Sequence, residues 1–203
     1  MWALKRSCIN TEQWLKRQTR CSEKKERKRV NEGMDVKKAM SQRESYPEVD
    51  AIIPKTLANT EEGYEYLFSL KCSIPKELYA FYLRTIWNMK TSGLSLDLAL
   101  RMFDGVKPED LMYKEELEAI KQFDEFITIY RGASTEEKVP RLSWTLRKSV
   151  ATNNSDFANG RLFTATVPKK DILMYLAKDR DEEEVVIHVT DGYEIFDVKD
   201  WKR

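Results

Sequence analysis

The sequence predicts an α+β fold in which a helical N-terminal half precedes a strand-rich C-terminal half. Apolar residues recur at helical spacing up to residue 123, and alternating runs of β-branched and aromatic residues begin at residue 126. The 203 residues are 41% hydrophobic and 34% charged, which suffices for one core and excludes a fully disordered chain.

The first half contains four segments with helix signals. They span residues 60–70, 75–87, 96–103 and 108–123. The strongest begins at Pro75 and carries apolar residues along one face as far as Trp87. Ser95 caps the next helix, and Pro108 begins the last. Residues 45–54, which contain two prolines, are predicted to be a linker.

Five extended runs in the second half are predicted to form strands. They span residues 126–130, 142–145, 161–167, 184–189 and 193–198. Residues 146–157 are predicted to be helical in their first part. Residues 168–176 begin with a proline and are predicted to form one short helix.

Composition disfavours several common kinds of site. The three cysteines are widely spaced, so no disulfide framework is expected. His188 is the only histidine, which disfavours zinc sites and histidine-dependent catalytic triads, and we expect no metal. The seven glycines form neither a G-x-G-x-x-G motif nor a P-loop. The N-terminus lacks the apolar stretch of a secretory signal, so we expect a cytoplasmic protein.

Charge divides the chain near residue 44. Residues 1–43 hold thirteen Lys or Arg and five Asp or Glu, a net charge of +8, whereas the remainder carries −7. We expect residues 1–44 to be a basic arm, flexible or helical, that either contacts nucleic acid weakly or is a solvated tail. Residues 45–125 are expected to form a helical region that packs on a core of residues 126–203.

Three groups of polar residues interrupt the strand pattern. Arg131 and Gly132 follow the first strand, where a guanidinium binds a phosphate or simply lies at the surface. Ser143 and Thr145 flank an indole, so alternation places both hydroxyls on one face of a strand. Residues 181–184 are acidic and precede a later strand, as a solvated turn or as part of a site.

The order of these motifs resembles the ADP-ribosyltransferase superfamily of the Arg–Ser–Glu type, which includes bacterial toxins, phage enzymes and arginine-specific transferases. The similar stretches are Ile129-Tyr130-Arg131-Gly132, Leu142-Ser143-Trp144-Thr145, Asp156-Phe157-Ala158 and Glu182-Glu183-Glu184-Val185-Val186-Ile187. Residues 170–175 are also similar to a helix of bacterial members. The resemblance covers approximately residues 126–198 and implies a core of two packed small sheets.

The resemblance implies NAD as the substrate, because the family cleaves NAD between nicotinamide and ribose and transfers ADP-ribose to an acceptor. By the match, Glu184 is the catalytic carboxylate, Ser143 orients it, and Thr145 supports the strand and the nicotinamide ribose. Negative charge at this position suits the oxocarbenium-like sugar that forms when nicotinamide departs.

The other implied roles concern binding and the acceptor. Arg131 would bind an NAD phosphate, backbone groups of Gly132 would meet the nicotinamide amide, and Phe157 would stack on the nicotinamide ring. Glu182 would help to activate an arginine acceptor. The run of acids leaves Glu183 or Glu182 as alternatives to Glu184 for the key carboxylate.

The sequence therefore predicts a toxin-like bacterial or phage mono-ADP-ribosyltransferase, cytoplasmic or delivered into a host cytoplasm. Its acceptor would be a macromolecule, most simply a protein. Two alternatives stay open: an NAD glycohydrolase with water as the acceptor, and a non-catalytic nucleotide- or nucleic-acid-binding module of the same fold. Fold alone does not fix the acceptor.

Overall fold

The computed structural model describes residues 33–89, 94–133, 142–153, 161–177, 182–188 and 193–197. In these residues a helical first half is followed by a six-stranded antiparallel sheet, which confirms the predicted α+β class. Most of the basic arm lies outside the described residues, and so does Phe157.

Seven α-helices precede the sheet in the described part of the chain. They are α1 (Val36–Arg43), α2 (Ile52–Ala58), α3 (Thr60–Leu70), α4 (Lys76–Asn88), α5 (Leu96–Phe103), α6 (Pro108–Leu111) and α7 (Lys114–Lys121). The predicted helix over residues 108–123 is divided into α6 and α7. Helix α1 falls within the predicted arm, yet its Ala39 is fully buried. None of the described helices is long and apolar enough to cross a membrane.

Helix α4 is tied to its neighbours through its buried face. The buried apolar residues of this face are Leu78, Tyr79, Ala80, Tyr82, Leu83 and Ile86. Two phenols add hydrogen bonds to main-chain carbonyls, each over 3.2 Å: Tyr79 donates to Met102 of α5, and Tyr64 of α3 donates to Ile86. Apolar burial and these bonds together fix α4 against α3 and α5.

A buried ion pair joins α4 to α7. The Arg84 guanidinium donates to both carboxylate oxygens of Glu116, over 2.7 and 2.9 Å, and the two side chains are only 2% and 1% exposed. Arg84 also donates to the carbonyl of Leu111, while Glu116 accepts from the amides of Tyr113 and Ala177. Because Ala177 directly follows a strand, the carboxylate connects two helices and the sheet.

The described strands form one sheet in the order β4-β5-β2-β1-β3-β6. They are β1 (Phe126–Ala133), β2 (Ser143–Thr145), β3 (Arg161–Pro168), β4 (Ile172–Leu176), β5 (Glu184–Ile187) and β6 (Ile195–Asp197). One further helix, α8 (Lys148–Asn153), lies between β2 and β3. The five predicted strand regions are present, and residues 172–176 add the sixth.

The sheet consists of two three-stranded halves. Strands β4, β5 and β2 form one half, strands β1, β3 and β6 the other, and Tyr130 paired with Thr145 links them. The two small sheets expected from the family resemblance are thus joined into a single six-stranded sheet.

Residues 45–54 are not the predicted linker, and that prediction is wrong. Residues 47–54 of this segment form a 3-10 helix (Pro47–Ala51) and the first turn of α2. The prolines do not interrupt these elements, because the first turn of a helix has no intrahelical partner for its N–H groups. Val49 and Ile52 are fully buried, so this segment belongs to the core.

Helices α2 and α3 are separated by Asn59 alone, whose side chain accepts from the amide of Glu61 over 3.2 Å and caps α3. They approach so closely at Gly63 that a Cβ there would lie 2.1 Å from Thr56 Oγ1. Glycine is therefore required at this crossing for steric reasons.

The single helix predicted for residues 168–176 is also wrong. The chain forms one 3-10 turn (Lys169–Asp171) and then β4, which pairs with β5. Four of the five β4 residues are buried, so the strand is a nearly continuous apolar run. Such a run lacks the alternation that distinguishes a strand from a buried helix in sequence.

We predict that Glu116→Gln lowers the free energy of unfolding by about 3–5 kcal/mol, because it leaves the buried Arg84 charge without its counter-charge. The measurement is urea denaturation followed by circular dichroism.

The matched control is Glu118→Gln on the same helix, where the pair with Lys121 is about half exposed. It should cost less than about 1 kcal/mol. Equal losses in the two variants would contradict the structural role of the buried pair.

We predict that stability falls between about pH 10 and about pH 12 in a manner that depends on Tyr193. The hydrogen bond from its phenol to Asp171 raises the pKa of Tyr193 from 10.0 to about 12. Above pH 10 the unfolded chain loses this proton while the folded chain keeps it, so unfolding becomes easier as the pH rises.

The measurement is thermal unfolding of the wild type, Tyr193→Phe and Asp171→Asn across this range. Both variants should show a shallower decline than the wild type, since each removes the phenol–carboxylate bond. A decline of unchanged steepness in both would show that Tyr193 does not contribute.

Candidate functional site

Strand pairing brings the polar motifs of the second half together. In the register of β2 and β5, Thr145 lies opposite Glu184, and Ser143 lies opposite Val186. Opposed residues share a face of a sheet, so Ser143, Thr145 and Glu184 lie on one face and Trp144 on the other. Trp144 is 2% exposed, and its burial holds β2 in this orientation.

The Glu184 carboxylate accepts two hydrogen bonds at one oxygen. Ser143 Oγ donates to Oε1 over 2.6 Å, and Trp87 Nε1 of α4 donates to the same atom over 3.0 Å. The glutamate is only 5% exposed. Donors directed at the carboxylate offset the cost of burying its charge and fix its orientation.

Arg131 reaches the same serine from the neighbouring strand. Its Nη1 donates to the main-chain carbonyl of Ser143, and the residue is half-buried. Gly132 follows in β1 and lies opposite Leu162 of β3. Ser143 is therefore contacted from both neighbouring strands, by Arg131 at its main-chain carbonyl and by Glu184 at its hydroxyl.

Thr145 connects the residues that precede β5 to the residues that follow β2. Its hydroxyl donates to the carbonyl of Glu182 and accepts from the amide of Arg147 over 3.0 Å. The amide of Leu146 donates to the carbonyl of Glu183 over 3.2 Å. These bonds fix where β5 begins, and thereby the position of Glu184.

The three consecutive glutamates occupy different backbone settings. Glu184 is the first residue of β5, whereas Glu182 and Glu183 precede the strand. Glu183 has φ 47°, in the left-handed region that non-glycine residues rarely adopt. Strand alternation therefore does not run through Glu183, and Glu182 is half-buried outside the β2–β5 ladder.

Trp87 was not among the site residues predicted from the sequence. The pattern placed it on the apolar face of a helix, and its ring does pack edge-to-face on Phe103, with centroids 5.2 Å apart. Its N–H, however, points to a carboxylate 97 positions later. The only signal in the sequence is an indole at the end of an apolar helix face, because its N–H needs an acceptor when the ring packs against other side chains.

Phe157, expected to stack on nicotinamide, lies outside the described residues. The described residues contain no group of three His, Cys, Asp or Glu side chains that could hold a metal ion.

The assembled groups suit one kind of chemistry. A buried carboxylate with two fixed donors can stabilise positive charge that develops beside it, or accept a hydrogen bond from a ligand hydroxyl. Fixed orientation matters because the carboxylate then needs no rearrangement when the charge forms.

Neither protein-family models, nor curated proteins, nor solved structures give a match to this chain. The residues and geometry of the site are therefore the basis for a functional assignment.

We predict that Thr145→Val lowers the free energy of unfolding by about 1–3 kcal/mol, because valine keeps the shape but removes the hydroxyl that serves Glu182 and Arg147. Chemical denaturation measures the loss.

The control is Thr128→Val at an exposed position of β1, which should change stability by less than about 0.5 kcal/mol. A Thr145 variant as stable as this control would show that the hydroxyl does not anchor the start of β5.

Proposed function

We propose that this chain is an NAD-dependent mono-ADP-ribosyltransferase that transfers ADP-ribose to a macromolecular acceptor. One observation carries the proposal: Ser143 Oγ lies 2.6 Å from Glu184 Oε1, although the two residues are 41 positions apart. The family resemblance assigns Ser143 the role of orienting Glu184, and this contact supports that role. The bond from Arg131 to Ser143 adds the third member of the motif.

The chemistry begins with cleavage of the bond between the ribose C1′ and the nicotinamide nitrogen. The bonding electron pair stays with nicotinamide, which leaves as a neutral molecule, and C1′ gains oxocarbenium character. Glu184 stabilises this charge and accepts a hydrogen bond from the ribose 2′-hydroxyl. A nucleophile of the acceptor then bonds to C1′ and releases a proton.

The other motif residues bind NAD or assist the acceptor, in the roles that the resemblance implies. Arg131 holds a phosphate of NAD, since guanidinium N–H groups are arranged to bind phosphate oxygens. Gly132 brings its backbone to the nicotinamide amide, Thr145 supports the ribose, and Phe157 stacks on the ring. Glu182 precedes Glu184 by two residues and assists an arginine acceptor.

We predict that the purified protein releases nicotinamide from NAD and that Glu184→Gln lowers this rate by about a hundredfold or more. Glutamine preserves size but removes the negative charge that the transition state needs. Liquid chromatography of free nicotinamide is the measurement.

Glu65→Gln, at an exposed position of α3, is the matched control and should behave like the wild type. Absence of nicotinamide release from the wild type, both alone and with a cell lysate, would contradict the proposal. An active Glu184→Gln variant would instead overturn the role of that carboxylate.

The product that carries the ADP-ribose distinguishes a transferase from a glycohydrolase. With NAD labelled in its adenylate part and a cell lysate, a transferase attaches the label to a macromolecule, whereas a glycohydrolase yields free ADP-ribose. Glu182→Gln should reduce attachment more than nicotinamide release if an arginine side chain is the acceptor. If Glu182→Gln lowered label attachment and nicotinamide release equally, Glu182 would have no role in activating the acceptor.

A further inference from the structure

The contact between Trp87 and Glu184 joins the helical half to the proposed catalytic carboxylate. From it we infer that Trp87 is a positioning residue, which holds Glu184 in the orientation required for cleavage of the nicotinamide–ribose bond. This inference rests on the proposed function. It gives the helical half a share in orienting Glu184, a role that Ser143 has from the sheet.

The direction of the hydrogen bond supports this role. Indole Nε1–H is a donor only, so Glu184 Oε1, its partner at 3.0 Å, accepts this hydrogen bond. Ser143 Oγ approaches the same Oε1 at 2.6 Å from β2. Two donors from different elements restrict the rotation of the carboxylate more than either one alone.

Trp87 is itself firmly held. It lies one helical turn after Arg84, whose guanidinium is locked in the buried pair with Glu116. Its ring contacts Phe103, which is only 3% exposed. A donor on a fixed helix is preorganised, so it can orient a carboxylate without losing freedom when substrate binds.

The decisive variant is Trp87→Phe, which keeps an aromatic ring but removes the N–H. The matched control is Tyr79→Phe, which removes a different aromatic donor of the same helix, one that serves the Met102 carbonyl instead. Both variants should lose thermal stability. Only Trp87→Phe should lower kcat for nicotinamide release, by about tenfold to a hundredfold, with KM for NAD within about threefold.

A second measurement does not depend on activity. The chain has five tryptophans, and the missing indole N–H signal in the Trp87→Phe spectrum identifies that of Trp87 in a ¹H–¹⁵N correlation. Glu184→Gln should move this signal upfield, because a neutral amide is a weaker acceptor than a carboxylate. The same signal should be unaffected by Glu65→Gln.

The outcomes separate the inference from the proposed function. If the wild-type protein releases no nicotinamide, the proposed function is wrong. The indole signal of Trp87 still tests its contact with Glu184 in that case. With an active wild type, a Trp87→Phe kcat equal to that of Tyr79→Phe overturns the positioning role. A rise in kcat/KM would also overturn it, since the indole would then block access to Glu184. An indole signal unmoved by Glu184→Gln would exclude the contact itself.

Discussion

The buried pair of Arg84 and Glu116 is the constraint on which the rest of the structure depends. Ionised groups with almost no exposure are tolerated only when nearly all their hydrogen-bonding capacity is used, and here both side chains also bind main-chain groups. Since one of those groups is the amide of Ala177, after β4, the pair sets how the helices sit against the sheet. Replacing it with apolar residues would leave the carbonyl of Leu111 and the amides of Tyr113 and Ala177 without these partners.

This arrangement explains how Glu184, at the start of a strand inside the sheet, can be almost fully buried. The strands provide Ser143 and fix the start of β5 through Thr145, while α4 provides the indole of Trp87. The helical half therefore does more than cover the sheet. Helix α4 places the indole N–H of Trp87 against the carboxylate. The position of this N–H depends on the packing of α4, which the buried pair of Arg84 and Glu116 fixes.

The sequence predicted those features that depend on local patterns. Alternation and β-branched residues identified five strands. The family resemblance, which depends on the order of the motifs, singled out Arg131, Ser143 and Glu184, and the fold brings Arg131 and Glu184 into contact with Ser143. Residues 172–176 were misassigned because a strand buried on both faces has no alternation, and residues 47–54 because prolines in a first helical turn resemble a linker. The contact of Trp87 was beyond prediction, since nothing local indicates which distant acceptor an indole will meet.

The 97 positions between Trp87 and Glu184 have a consequence for synthesis. At about 5–20 residues per second, the ribosome would add Glu184 roughly 5–20 s after Trp87. During that interval the chain contains Trp87 but not Glu184, and the helices can form before β5 has been synthesised. A nascent chain can therefore contain folded α4 well before the contact between Trp87 and Glu184 forms, and that contact requires β5 to have been synthesised and to have paired with β2.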